Sequence, residues 1–114
     1  MPALAHHGTS ASYDLAKKVT LSGVVTEWIY TNPHAELFFH VKDNSGNIVH
    51  WGGELGSPGV LRQMGRSKTT FKPGDMITVT VSPSKAGTTI GVVDQSKPVI
   101  VSDKELPGRA SNAE

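Results

Sequence analysis

From Lys18 onward, apolar and polar side chains follow a period of two. KVTLSGVVTEWIY (residues 18–30) is rich in β-branched and aromatic residues, which fit a pleated, half-buried surface. Gly23 interrupts this stretch, where a bulge or sharp bend lets one long strand serve two sides of a barrel. HAELFFHVKD (34–43) puts Ala35, Leu37, Phe39 and Val41 on one face and His34, Glu36, Phe38 and His40 on the other, and the first set is the expected core face. Asn44-Ser45-Gly46 predicts a three-residue hairpin loop with its glycine in the left-handed conformation. NIVHWGGEL (47–55) is the returning strand. Pairing Asp43 with Asn47 sets Val41 opposite Val49 and Phe39 opposite Trp51 inside. The same register sets His40 opposite His50 and Glu36 opposite Glu54 outside.

GSPGVLRQMGRS (56–67) is the one convincing helix. Ser57 is its N-cap, Pro58 occupies the first helical position, Val60, Leu61 and Met64 share a face, and Gly65 closes it. FKPGD turns the chain into MITVTV, SPSKAG leads to TTIGVV, and PVIVS adds a last edge strand after Pro98. Three strands, a short helix and two or three more strands predict an all-β fold. It is a small OB-like Greek-key barrel of five to six strands, with the helix between the third and fourth strands. A β-sandwich would need more strands. The expected organisation is a remnant of a signal peptide or cloning segment over 1–5, a single barrel domain over 6–102, and a flexible, solvated tail over 103–114.

Composition narrows the function more than the fold. The 114 residues suit one core. Eleven Lys and Arg against ten Asp and Glu leave a net charge of +1 with no basic stripe, so nucleic acid is not an expected partner. Cysteine is absent, which removes disulfides, thiolate catalysis and zinc–thiolate sites. No apolar run approaches the roughly 20 residues that span a bilayer, so no membrane insertion is expected after processing. Ala3-Leu4-Ala5 fits the small-x-small pattern of a signal-peptidase site, which points to a periplasmic or secreted protein. A chance occurrence in an N-terminal arm is the plainer alternative for so short a motif.

The candidate chemistry lies in five histidines. No nucleophile motif or phosphate-binding loop is present, and Glu36 and Glu54 on an open sheet face are expected to be solvated. If processing leaves His6 first, its α-amine and imidazole chelate a metal together, with His7 or His34 closing the set. Copper(II) favours such nitrogen donors. His34, after Asn32-Pro33, is either an exposed turn residue or stands at the barrel mouth beside Glu54. His40 and His50 form a cross-strand pair, either a wet polar face or a second place for a metal. A metal-free module would instead bind a small ligand or protein on the barrel face, through Asn32, Tyr30, Phe38, His40 and His50, with Trp28 and Trp51 as core. An enzyme using His34 as base and Glu54 as orienting acid ranks third. Monomer and edge-paired dimer are both open.

AHHG, SYDLAKKVTLSGVVTEWIYTNPH, HWGGELGSP and FKPGD occur in an order that resembles a family of small exported bacterial proteins of unknown function. The resemblance runs from residue 5 to about 93. It implies export and a β-barrel module, and supplies no activity. The family's polar signature falls on His6, His7, Asn32, His34 and Glu54, whereas Gly8 stands where the family usually has Ser. The resemblance shifts the preference from the His40 and His50 pair to His7, His34 and Glu54, which with His6 are the expected metal ligands, and the nitrogen donors make copper the expected metal.

Overall fold

The computed structural model describes residues 12–108. Its first strand, β1 (Val19–Ile29), is long enough to have two neighbours. Its first half pairs antiparallel with β4 (Met76–Pro83), Val19 opposite Val81 through Val24 opposite Met76. The second half pairs with β2 (Glu36–Lys42), Val24 opposite His40 through Ile29 opposite Glu36. Gly23 lies at the changeover. A Cβ there would sit 2.0 Å from the His40 carbonyl oxygen, so only glycine allows β2 to come this close. A bulge between Val25 and Glu27 then turns the strand.

β2 pairs with β3 (Ile48–Glu54) in the expected register, including Phe39 opposite Trp51, His40 opposite His50 and Glu36 opposite Glu54. Asp43 fixes the hairpin by accepting from the backbone N–H groups of Ser45 and Asn47, and Gly46 takes a φ of +85°. β3 runs parallel to β5 (Ile90–Val93), which pairs antiparallel with β4. The ring β1-β2-β3-β5-β4-β1 is thus a closed five-stranded barrel, with α1 (Pro58–Gln63) between the third and fourth strands. The Ser57 side chain caps α1 by accepting from the Val60 N–H. Leu61 is driven into the core with Leu37, Phe39, Val79, Val81 and Phe71.

Two strands extend the sheet beyond the barrel. β6 (Val99–Val101) pairs with β4, and β7 (Lys104–Leu106) pairs with β6. The expectation of a frayed tail from Asp103 is corrected over residues 103–108, and its remainder, 109–114, lies outside the described residues. Ser102 and Asp103 adopt φ of +48° and +70° and reverse the chain into β7. Buried Arg66 donates to the carbonyl of Pro107 at 2.8 Å and pins the chain directly after β7.

Candidate functional site

At the end of the barrel where β2 begins and β3 ends, two glutamates face each other across the ladder. They were expected in water, yet Glu36 and Glu54 are only 5% and 4% exposed. The cause arrives from the N-terminal side. Asp14 donates its N–H to Pro83, the Tyr13 backbone bridges to Ser84, and Lys85 donates to Ser12. This lashes residues 12–14 to the end of β4 and buries Tyr13 against the carboxylates.

The Tyr13 hydroxyl donates to Glu54 Oε1 at 3.0 Å. Burial first, then the charge of Glu54 and the hydrogen bond to it, then the charge of Glu36, push the Tyr13 phenol up to about 12. On the other side, His34 Nδ1 lies 2.9 Å from Glu54 Oε2. Nδ1 is buried, and the approach is out of line for a well-formed N–H···O bond. Both Glu54 oxygens are therefore engaged within the protein. Since Nδ1 is shielded, the 40% exposure of the His34 side chain belongs to the rest of the ring. The backbone beside it is clamped: Ala35 donates to Gly56 at 3.0 Å, and Leu55 donates back to Ala35 at 2.8 Å.

Tyr13 was missed from sequence as a site residue. The available signal was a lone aromatic ahead of the first predicted strand, with no place in any predicted strand. Asn32 is exposed in the turn before His34, joined to Pro33 by a cis peptide bond. His6 and His7 lie outside the described residues. Among the described residues, no three His, Asp or Glu side chains converge as a metal-binding group.

The remaining candidates lie elsewhere. Tyr30 is half-buried with its hydroxyl donated to the Pro58 carbonyl, and Trp28 packs edge-on to Phe71 with its indole N–H donated to Ser67. These two rings hold α1 and the following loop onto the barrel. Phe38 is half-buried, and Trp51 packs against the core. His40 and His50 meet edge to face, ring centroids 4.4 Å apart. His40 also borders an open groove of about 570 Å³ on the outer sheet face.

A family model, described as a family of unknown function (DUF6152), matches residues 1–97. The chain belongs to this family. No curated protein and no solved structure matches it. For this DUF6152 protein the fold and the Tyr13–Glu54–His34 arrangement are thus the basis for any reading of function.

Proposed function

We propose that this DUF6152 protein is an exported binding module that holds a transition metal, copper, with His34 as the ligand supplied by the barrel. The observation that carries this reading is the approach of a buried carboxylate oxygen to within 2.9 Å of His34 Nδ1. Metal-ligating histidines characteristically direct their second ring nitrogen to such a group, which fixes the ring and raises its basicity. The arrangement leaves Nε2 for the metal. Glu54, with one oxygen on His34 and the other on Tyr13, braces the ligand instead of ligating. His6 and His7 supply the further nitrogen donors. His7 lies six residue steps before Tyr13, with five residues between them, a reach of at most roughly 20 Å.

The test is a copper(II) titration, by calorimetry with EPR, of two matched proteins, one beginning at His6 and one retaining residues 1–5. Tight one-to-one binding by the first alone, weakened by His34→Ala, is the expected result. Equal and weak binding by both would overturn the reading and hand function to the barrel face.

A further inference from the structure

Val24, Ile48, Met76 and Ile100 are all large, apolar and exposed, and all four line the groove on the outer sheet face. Scattered exposed apolar side chains need no explanation, whereas a contiguous patch marks an interaction site. Met76 is 69% exposed, the most of the four. The strand order places Lys42 and Ile48 at one side of the groove, on β2 and β3, and Ile100 and Asp103 at the other, on β6 and the turn after it. Between them lie Val24 opposite Met76 and Ser22 opposite Thr78. The hydroxyls of Ser22 and Thr78 bond each other at 2.8 Å, so the floor of the patch carries satisfied polar groups.

We infer that this face is a two-fold interface between copies of the chain, with Lys42 of each copy paired to Asp103 of the other. The occupant follows from the charges. Lys42 and Asp103 form no ion pair within 4.0 Å with another described residue, and they stand three inter-strand steps apart, a separation across the sheet of roughly 14 Å. A two-fold axis between β1 and β4 carries one onto the other's position and brings Val24 and Met76 of both copies together at the centre. In such an isologous contact, residue i meets j and j meets i. An apolar centre flanked by opposite charges is complementary to itself, and the charges set its register.

Sedimentation velocity across a concentration series, with the full chain, tests this. The wild type is expected to dimerise and dissociate on dilution, and Met76→Asp, at a site exposed in the monomer, should weaken the dimer at least about tenfold. Lys42→Glu and Asp103→Lys should each weaken it, and the double variant should regain most of the loss. A wild type that stays monomeric throughout overturns the inference, as does a double variant no better than the singles. Circular dichroism of each variant confirms an unchanged fold. A monomer whose groove binds an apolar dye would also overturn it, and would assign the groove to a small amphiphile.

Discussion

Replacing Tyr13 with Phe removes one oxygen and leaves the shape of the buried ring. The hydroxyl lost is a donor to a buried carboxylate at 3.0 Å, and hydrogen bonds to charged groups contribute about 1.5–3 kcal/mol. Glu54 Oε2 keeps His34, but Oε1 loses its donor while remaining buried. The expected loss at pH 7 is about 2 kcal/mol, a fall in urea midpoint of about 1 M at slopes common for small domains. The pH dependence supplies an independent check. The Tyr13 phenol stands at about 12 in the folded protein against an ordinary 10.0, so the native state keeps a proton that the unfolded chain releases. Its contribution is complete below pH 10 and is lost as pH rises from 10 to 12, by about 2–3 kcal/mol at most. Tyr13→Phe lacks this loss, so the gap between wild type and variant should narrow over that window, while titrations common to both cancel. Urea denaturation at pH 7, 9, 10 and 11 measures it. A gap below about 0.5 kcal/mol at pH 7 that stays constant to pH 11 would refute the buried Tyr13–Glu54 bond and the brace built on it.

Gly23→Ala places a methyl 2.0 Å from the His40 carbonyl oxygen, and should cost more than about 3 kcal/mol in a urea melt or prevent folding. Gly59→Ala is the contrasting case: it lies inside α1, where a Cβ meets nothing nearer than Ser57 Oγ at 4.0 Å. The same melt should show it stabilising by about 0.5 kcal/mol through helix propensity. Burial raises the Asp94 carboxyl, but hydrogen bonds from Ser96 and the Lys18 ammonium outweigh burial and hold it below the usual value. The stability it supplies is present above about pH 4 and is lost as pH falls through the depressed folded value. Asp94→Asn should therefore flatten the acid limb of a stability profile measured from pH 6 to 2, and an unchanged limb would remove Asp94 from the account.

The barrel was legible because its signals are local. Asp43 to Asn47 carries its own turn chemistry, and one correctly placed loop fixes every pair from Val41–Val49 to Glu36–Glu54. Pro58 and Ser57 marked the helix start in the same way. What stayed hidden depends on distant partners. Alternation placed Glu54 on the outer face, but its burial requires Tyr13, 41 residues earlier in the chain. No window of sequence contains both. β7 was hidden for another reason: its turn uses Ser102 and Asp103 at positive φ, where glycine is the usual signal, and Lys-Glu-Leu carries no strand pattern. The bulge after Val25 leaves no compositional mark either.

The double pairing of β1 also bears on how the chain assembles. β2 and β3 lie close behind β1 in sequence, and their hairpin can form from neighbouring residues. Closure of the barrel instead joins Val19 to Val81, and joining ends so far apart costs chain entropy before the contact gives anything back. Small barrels governed by such distant pairings fold in milliseconds to seconds, not microseconds. Until β4 arrives, residues 19–23 form an unprotected strand edge, the part of an incomplete molecule most open to mispairing with another chain. The first strand in sequence thus depends on the fourth for its protection during folding.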